Sequence, residues 1–527
     1  MVTFEQSFRA VAERARPVVS AFAEAGFSLY AVGGVVRDIW LGADPWEMAE
    51  FDFTTNARPD DIERLLRRHC QAVWDVGRRF GTIGGELDGL KIEITTFRTE
   101  SYVDHSRKPA VEWGDDIEVD LSRRDFTINA IALDVVALAS GTPWEETLVD
   151  PFTGIAHLHA RLLSAPSEPV GLFRDDPLRM LRAARFASRF NLSIDPALEA
   201  AAREVAPSLS KVSVERIQGE LSLLLVTAQP SIGLDFIVRT GLADHFLPEL
   251  PALQLEQDPI HQHKDVLAHT WAVVDKTSPR LVLRMAALLH DIGKPATREI
   301  SPEEGVTFRF HDVVGARMTR KRLTALKYSD EFIADVSRLV ELHLRFHTFK
   351  MGWSDSAVRR YAYDAGPLLE DLNELTRCDC TTRNRRKAAE LAAHMDTLEE
   401  RIIEINKADE HRAARGALDG DQVMTLCGIG PGPALKRILS FLLEIYFTEG
   451  HIGEEAATAR VTQWWNAHHG PALRDAVGDL PERQAGLALE YLLSLAESDE
   501  DFDPAQAPFL VEKWLSAPRT GRKKPAP

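Results

Sequence analysis

Two neighbouring stretches of the sequence decide the fold: YAVGGVVRDIW, Tyr30–Trp40, and EFDFTT, Glu50–Thr55. In the first, a short apolar run leads into two adjacent glycines and then into a helical pattern, whereas the second alternates as a strand does. Adjacent glycines after a strand let the backbone approach a ligand closely, with N–H groups that suit phosphate. Arg37 follows Gly33 by one helical turn and could reach the same phosphates. The two stretches therefore predict an α/β unit that binds a phosphorylated ligand.

Three acidic side chains are expected to converge beside this element. Glu50 and Asp52 are two residues apart on a strand, so both carboxylates point to the same face of the sheet. Glu93, in the alternating segment LKIEITTFR, could add a third carboxylate from a neighbouring strand. An isolated acidic pair more often only faces solvent, but acids next to a Gly-Gly element favour a metal site. We therefore predict bound Mg²⁺, which prefers oxygen ligands and can neutralise a pyrophosphate leaving group.

The composition narrows the class of protein. At roughly 150 residues per domain, the 527 residues suggest three or four domains. The chain has no run of about 18 apolar residues, and its N-terminal segment lacks the apolar core of a signal peptide. Its four cysteines are too few for a disulfide scaffold, so we expect reduced thiols. Together these features predict a cytoplasmic enzyme with no membrane span. The net charge of −18 argues against a protein that coats nucleic acid by bulk charge, but a local basic track stays open.

The second half of the chain is almost entirely helical in pattern and contains an ordered set of histidines and aspartates. Single histidines on helices are usually structural, yet imidazoles and carboxylates from separate helices of a bundle often build a metal centre. The whole set is far more specific than any of its members, and it comprises His269, His290, Asp291, His311, His343 and Asp379.

Several long motifs in a fixed order resemble the bacterial class II tRNA CCA-adding enzymes and poly(A) polymerases, which have a polymerase-β-like head. The motifs are AVGGVVRDIWLG with FDFTT, then RRDFTINAIALD, DPFTGIAHLHARLL, DDPLRMLRAARFASRF and VSVERIQGEL. The histidine and aspartate set resembles the HD superfamily of metal-dependent phosphohydrolases. The implied fold class is an α/β nucleotidyltransferase head with a small mixed sheet, followed by an all-α neck, an HD-type helical domain and a helical C-terminal body.

The resemblance also implies the domain boundaries. We expect the nucleotidyltransferase head at 1–150, a helical neck with a base-selecting helix at 151–230, and the HD-type metal-binding domain at 245–385. A helical tRNA-binding body would follow at 386–470, and a partly disordered C-terminal extension at 471–527.

In the head, the resemblance assigns catalysis to Glu50 and Asp52 as Mg²⁺ ligands, with Glu93 assisting the attacking hydroxyl. Asp176 and Arg179, three residues apart on a helix, would select the incoming base. An ionised aspartate only accepts hydrogen bonds and an arginine only donates them, which matches the edges of C and A but not those of U and G. The nucleotide-binding residues implied in this way are Gly33, Gly34, Arg37, Arg124, Asp125, Asn129, Asp176, Arg179 and Arg182.

Further assignments concern metals and RNA. Asp125 would accept a hydrogen bond from the ribose 2′-hydroxyl, which distinguishes an NTP from a dNTP. Lys294 would lie near the phosphate of an HD substrate, and Lys436 and Arg437 would contact tRNA phosphates. One divalent metal of unknown identity would be bound at the HD site by His269, His290, Asp291 and Asp379, with a second shared by Asp291, His311 and His343.

The resemblance therefore predicts a tRNA nucleotidyltransferase that adds or repairs the 3′-terminal CCA from CTP and ATP and releases pyrophosphate. Its partners would be the tRNA 3′ end, ATP and CTP, and no protein partner is inferred. A poly(A) polymerase, or a CC-only or A-only adding enzyme on the same scaffold, remains an alternative. Because Glu50 stands where the family usually has aspartate, an HD phosphohydrolase with an impaired transferase head is a further alternative.

Overall fold

The chain divides into two units, Met1–Glu341 and Leu342–Pro527. The structure is a computed structural model that describes residues 3–101, 110–255, 265–301, 305–346, 349, 352–380, 385–413, 418–498 and 502–516. Residues 517–527, at the end of the extension that is expected to be partly disordered, lie outside the described residues.

The first unit contains a mixed sheet, as the sequence predicts, and this sheet has seven strands. The strands of this unit are β1 (Leu29–Val32), β2 (Glu50–Thr55), β3 (Ala72–Trp74), β4 (Thr82–Leu87), β5 (Leu90–Thr96), β6 (Arg98–Ser101), β7 (Ala110–Trp113), β8 (Ala132–Asp134), β9 (Leu148–Val149), β10 (Leu162–Leu163), β11 (Ser193–Ile194), β12 (Glu299–Ser301) and β13 (Gly305–Thr307). The sheet has the order β3-β4-β5-β2-β1-β8-β9. Within it β2 and β5 run parallel, whereas β1 pairs antiparallel with both β2 and β8.

The central strands follow directly from the alternation in the sequence. On β2, Phe51 and Phe53 are buried in the core, while Glu50 and Asp52 are exposed on the opposite face. β5 alternates in the same way, with Ile92 and Ile94 buried. Burying one apolar face fixes the register, because a slip of one residue would turn the acids into the core.

Along the chain, helices alternate with the strands of the sheet and then make up most of the rest of the first unit. They are α1 (Phe4–Arg14), α2 (Arg16–Glu24), α3 (Gly34–Trp40), α4 (Pro59–Leu66), α5 (Ile117–Ser122), α6 (Val135–Ala139), α7 (Trp144–Thr147), α8 (Gly154–His159), α9 (Pro169–Asp175), α10 (Leu178–Phe190), α11 (Pro196–Val205), α12 (Val214–Leu225), α13 (Pro230–Arg239), α14 (Val266–Lys276), α15 (Leu281–Leu289), α16 (His311–Ala325) and α17 (Asp330–Leu342).

Within its described residues, the second unit contains helices and connecting loops but no strand. Its helices are α18 (Asp355–Ala365), α19 (Leu369–Asp379), α20 (Arg385–Ala413), α21 (Gly420–Cys427), α22 (Pro433–Glu449), α23 (Glu454–Ala467), α24 (Gly470–Val477), α25 (Glu482–Ser498) and α26 (Ala507–Ser516). Residues of the extension take part in its core, among them Leu473, Leu489, Leu492 and Val511. In the described part of the chain, no helix is both long and apolar enough to cross a membrane.

Candidate active site

Three carboxylates lie together on the exposed face of β2 and β5. Asp52 and Glu93 are direct partners in the parallel register, and Glu50 is two residues before Asp52 on the same face. One oxygen of each carboxylate lies within 4.8 Å of the others. Three carboxylates at this spacing can hold a divalent cation, which prefers oxygen ligands.

Lys91 lies between two of these acids, which the sequence reasoning missed. Its Nζ is 2.5 Å from Oε1 of Glu50 and 2.8 Å from Oε1 of Glu93. These hydrogen bonds raise the pKa of the Lys91 ammonium, so it stays charged. The available signal was the spacing, because Lys91 is two residues before Glu93 and therefore on the same face of β5.

The third acid, Asp52, has an unusual pKa. Although part of the Asp52 side chain is exposed, the surrounding protein reduces its hydration and raises the pKa of Asp52 to about 6, and repulsion by Glu50 and Glu93 adds to the shift. The charges of Arg124 and Lys91 act in the opposite direction. Excess negative charge thus remains at this site despite Lys91, which favours the binding of a cation.

A glycine turn joins β1 to α3 and brings an arginine close to the backbone. Gly33 has φ 62° and ψ −118°, a left-handed conformation that L side chains rarely adopt. A Cβ at this residue would lie 3.2 Å from Nη1 of Arg124. Gly34 begins α3 directly afterwards. The turn therefore leaves backbone and guanidinium donors at one place, as a phosphate site requires.

Arg37 and Asn129 continue this polar layer into the protein. Arg37 is buried, and its guanidinium donates to Oδ1 of Asp38 at 2.7 Å and to the side-chain oxygen of Asn129. Asn129 in turn donates from Nδ2 to Oδ1 of Asp125 at 2.9 Å. The position of Arg37 is thereby coupled to that of the Asp125 carboxylate.

Asp125 connects the head to α10. Its Oδ2 accepts from Nε of Arg182 at 2.8 Å, and its Oδ1 also accepts from the backbone N–H of Phe126 at 2.9 Å. Burial acts to raise the pKa of Asp125, but the Arg182 charge and the Asn129 hydrogen bond hold it below its usual value. Asp125 is therefore an ionised, buried acceptor beside the nucleotide-binding candidates.

Asp176 does not lie on the helix that contains Arg179, so the shared helical face expected from their spacing is wrong. α9 ends at Asp175 and α10 begins at Leu178, and Asp176 between them is extended, with φ −140° and ψ 99°. The reason is Pro177, because a residue that precedes proline is driven out of the α-helical region. The acid therefore sits at a joint between two helices.

The side chains of this predicted base-reading pair contact other groups. Oδ2 of Asp176 accepts from Nη2 of Arg216 at 2.8 Å, and Oδ1 accepts from the backbone N–H of Leu178. Arg179 donates from Nη2 to the backbone oxygen of Arg123 at 2.9 Å. The two residues are close along the chain, but each is held by a different partner.

A second polar cluster lies in the helical part of the first unit. Nε2 of His269 is 3.2 Å from Nε2 of His290, and Oδ2 of Asp291 is 3.2 Å from the same His290 atom and 3.6 Å from His269 Nε2. On the other side, Oδ1 of Asp291 is 3.4 Å from Nε2 of His311. The imidazole nitrogens and one carboxylate converge as metal ligands do.

The backbone orients two of these imidazoles. Nδ1 of His290 lies 2.8 Å from the oxygen of Ala287, and Nδ1 of His311 lies 2.7 Å from the oxygen of Phe308. A carbonyl partner on Nδ1 directs Nε2 toward a metal, as in many metal centres. Burial acts to raise the pKa of Asp291, but the nearby histidines and Lys294 hold it well below its usual range.

Lys294 lies beside this cluster, with its Nζ 2.8 Å from Oδ2 of Asp291. His343 is buried directly after α17, and Asp379 is the last residue of α19. Both belong to the second unit, and their part in the centre stays a prediction.

The two predicted RNA contacts on α22 differ in their surroundings. Lys436 is exposed to solvent. Arg437 is bound by Glu490, with Nη2 2.7 Å from Oε1, and by Glu497. The structure therefore gives Arg437 a role within the second unit, which disfavours it as a phosphate contact because its charge is already neutralised.

Comparison with known families accounts for most of the chain. Three family models match it: "Poly A polymerase head domain" at residues 29–164, "Probable RNA and SrmB- binding site of polymerase A" at 191–253, and "HD domain" at 266–407. The first contains the carboxylate cluster and the glycine turn, and the third contains the histidine cluster.

Relatives match over most of their length. The A-adding tRNA nucleotidyltransferase of Deinococcus radiodurans is 34% identical over 82% of this chain and 94% of the relative. The CCA-adding enzyme of Streptococcus mutans is 28% identical over 84% and 94%, respectively. The fold is similar to that of the Bacillus stearothermophilus CCA-adding enzyme in complex with CTP, with a TM-score of 0.64, 24% identity, and coverage of 88% of this chain and 99% of that one. The resemblance read from the motifs is thus confirmed: the chain belongs to the tRNA nucleotidyltransferase family, together with A-adding and CCA-adding enzymes.

Proposed function

We propose that this protein adds or repairs the 3′-terminal CCA of tRNA, using CTP and ATP and releasing pyrophosphate. The observation that carries the proposal is the position of Arg124. Its guanidinium lies against Gly33, and its charge opposes the rise in the pKa of Asp52. It links a phosphate-binding turn to a carboxylate cluster in a chain of this family. A triphosphate and a cation would meet at such a place.

The proposed ligands of the cation are Glu50, Asp52 and Glu93, and the ion we propose is Mg²⁺. The donor set fits, because it consists of oxygen atoms and carries more negative charge than Lys91 compensates. When bound, the cation would help activate the tRNA 3′-hydroxyl and would neutralise the leaving pyrophosphate. Lys91 would neutralise part of the negative charge of Glu50 and Glu93 beside it.

The nucleotide would be bound by the polar layer around the glycine turn. Gly33 and Gly34 would present backbone N–H groups to the triphosphate, together with Arg37 and Arg124. Asp125 is contacted by two guanidinium nitrogens of Arg182 at Oδ2, and by Asn129 and the backbone N–H of Phe126 at Oδ1. We assign Asp125 to the ribose 2′-hydroxyl, which would replace one of the two Arg182 contacts.

Base selection would require Asp176 and Arg179 to act together. In our proposal the ion pair between Asp176 and Arg216 opens, because the carboxylate is needed for the amino group of C or A. This pair is partly exposed, and such ion pairs contribute only about 0–1 kcal/mol, so that a base can replace Arg216 at little cost. Uracil and guanine would place a hydrogen-bond acceptor opposite the Asp176 carboxylate and would therefore be rejected.

The direct test is the length of the product formed on tRNA that lacks its CCA end. With CTP alone we expect two added residues, with ATP alone none, and with both nucleotides three. Addition of A only to tRNA that already ends in CC would instead assign A-adding activity, and growth beyond one A would assign a poly(A) polymerase. Asp52→Asn is the control that abolishes every transfer reaction.

A second variant tests the alternative that Glu50 impairs the head. Glu50→Asp restores the family's usual residue but draws the carboxylate back from Lys91. We expect the rate of nucleotide transfer to change by less than about threefold. The reason is that the contact with Lys91 offsets the extra methylene group of Glu50. A gain of a hundredfold or more would show that the head is impaired as it stands.

A second candidate function is metal-dependent hydrolysis of a phosphoester near the tRNA 3′ end. It is favoured by the convergence of His269, His290 and His311 on the buried Asp291, and by the carbonyl partners that orient two of the rings. The test is phosphate release from tRNA ending in a 2′,3′-cyclic phosphate, assayed with Mg²⁺, Mn²⁺, Ni²⁺ and Zn²⁺ in turn. His290→Ala should abolish release, and release that survives this change would contradict the assignment.

A further inference from the structure

One face of α16 is exposed, aromatic at its start and basic along its length. Val313, Val314, Arg317 and Lys321 fall within an arc of about 100° at 3.6 residues per turn, and Phe310 precedes the helix as its N-cap residue. We call them the α16 face. Phe310 is 74% exposed and Val313 is 43% exposed, which is unusual for apolar side chains placed next to a polar centre.

Phe310 has a strained backbone conformation directly before His311 of the histidine cluster. Its φ of 62° and ψ of 21° lie in the left-handed region, which is costly for a residue with a Cβ. The next residue, His311, points its Nε2 toward Asp291, and the backbone of His311 packs tightly against Gly293. The exposed aromatic ring of Phe310 therefore belongs to the residue directly before a member of the histidine cluster.

The basic residues of this helix have few internal partners. Arg317, Arg320 and Lys321 are exposed, and within the described residues none of the three side chains forms an ion pair. By contrast, Arg322 on another side of α16 is bound by Glu249 at 2.8 Å. In a chain with a net charge of −18, an unpaired basic stripe forms a local site for a polyanion.

A groove accompanies the α16 face. It lies between the start of α16 and the segment that follows Lys294, and its volume of about 590 Å³ is in the range of small-ligand pockets. Its lining includes Phe310, Val313 and Arg317 of the α16 face.

We propose that the α16 face binds single-stranded RNA and leads its end to the histidine cluster. Phe310 would stack on a base, and Arg317 and Lys321 would contact successive phosphates, the usual combination in single-strand binding. The proposal deepens the hydrolytic function proposed above and rests on it for the fate of the bound strand. It makes the substrate of that centre an RNA end rather than a free nucleotide.

The test is the Kd of the full-length protein for a fluorescein-labelled, unstructured RNA of about twelve nucleotides, measured by fluorescence anisotropy. Phe310→Leu should weaken binding about tenfold, and Phe310→Trp should retain it because the ring is kept. The double change Arg317→Gln with Lys321→Gln should lower the slope of log Kd against log salt by about 1.4, at roughly 0.7 per phosphate contact.

The matched control is on α26, where an exposed aromatic residue, Phe509, and an exposed basic residue, Lys513, are one helical turn apart. Phe509→Leu with Lys513→Gln should leave the Kd unchanged. Equal Kd values for the wild type and both α16 variants would overturn the RNA surface, as would retention of binding by Phe310→Leu. Absence of phosphate release from the wild type, with binding that still depends on Phe310, would overturn only the hydrolytic function.

Discussion

Lys91 is the residue whose replacement should change the carboxylate cluster most selectively. Lys91→Met removes the ammonium from Glu50 and Glu93 and leaves three carboxylates without their internal cation. A unit charge about 5 Å from a divalent ion in water is worth roughly 1–2 kcal/mol, so the affinity for Mn²⁺ should rise about tenfold. Electron paramagnetic resonance of free Mn²⁺ during titration measures this affinity without any transfer reaction.

Lys91→Arg is the conservative control and should keep the affinity for Mn²⁺ within about twofold, because the positive charge is retained. Weaker Mn²⁺ binding by Lys91→Met would contradict this interpretation. It would show that Lys91 chiefly prevents the two glutamates from turning away from each other.

The raised pKa of Asp52 predicts a pH-dependent effect on stability. Its pKa of about 6 in the folded protein lies above its ordinary value of 3.8, so the ionised form is disfavoured by folding. Without metal, Asp52→Asn should therefore raise the melting temperature by about 2 °C above pH 6, and the gain should vanish toward pH 4. Calorimetry in the presence of a chelator checks this, and a gain that is larger at pH 4 would reverse the sign we assign.

At the scale of single elements, α10 contacts the head through one of its arginines. Arg182 lies on α10 and reaches the buried carboxylate of Asp125. Arg182→Met leaves this carboxylate without its partner and should lower the free energy of unfolding by about 2 kcal/mol, since the pair is only partly buried. Urea unfolding of the full chain measures the loss.

The matched control for Arg182 is Arg174, which pairs with Glu204 at 2.7 Å while both side chains are largely exposed. Arg174→Met should cost less than about 0.5 kcal/mol, as exposed pairs do. Equal losses in the two variants would show that α10 is held by its apolar face alone.

The start of α16 depends on a glycine in the loop after α15. A Cβ on Gly293 would lie 2.2 Å from the backbone oxygen of His311, so Gly293→Ala must push α16 away from Asp291. We expect a loss of about 2 kcal/mol in the free energy of unfolding. Gly219→Ala is the control, because the added methyl group would have no neighbour within 4 Å and alanine favours helix, which should add about 0.8 kcal/mol.

At the scale of the whole molecule, the division into two units predicts that a substitution can destabilise one unit without impairing the function of the other. In the second unit, Nε of Arg359 lies 2.9 Å from Oδ2 of the buried Asp409. Arg359→Met should cost about 4 kcal/mol, because it leaves a buried charge unpaired. Calorimetry should show the loss, while titration calorimetry should find CTP binding by the first unit unchanged.

Arg460→Met removes an exposed pair with Glu449 in the same unit and should have little effect on either measurement. Loss of CTP binding by Arg359→Met would contradict the separation, since all nucleotide-binding candidates lie before residue 342.

The parts of the fold that alternate in sequence were predictable. The patterns of EFDFTT and LKIEITTFR indicated β2 and β5, and the apolar residues in them are indeed buried. The parallel register that sets Asp52 opposite Glu93 was beyond the sequence reasoning, because pairing joins strands that are far apart in the chain. The contact of Lys91 with Glu50 depends on the same register and was missed for that reason.

Other features required knowledge of local backbone geometry. Helical spacing suggested one face for Asp176 and Arg179, but Pro177 ended that regularity and placed the acid at a joint. The exposure of Phe310 could not be read from FRFHDVVGA, since its left-handed backbone conformation before α16 is not visible in the sequence pattern. Apolar content alone would have assigned this ring to the core.

The contact between Gly33 and Arg124 also limits how this sequence can evolve. Any residue with a side chain at position 33 would have to adopt an unfavourable left-handed backbone conformation, and its Cβ would also lie close to the guanidinium group of Arg124. Substitution of Gly33 therefore carries two separate energetic costs. If all twenty amino acids were introduced at this position and the survivors were sequenced, glycine alone should be recovered. Even a compensating change at Arg124 would relieve only the crowding and not the torsion.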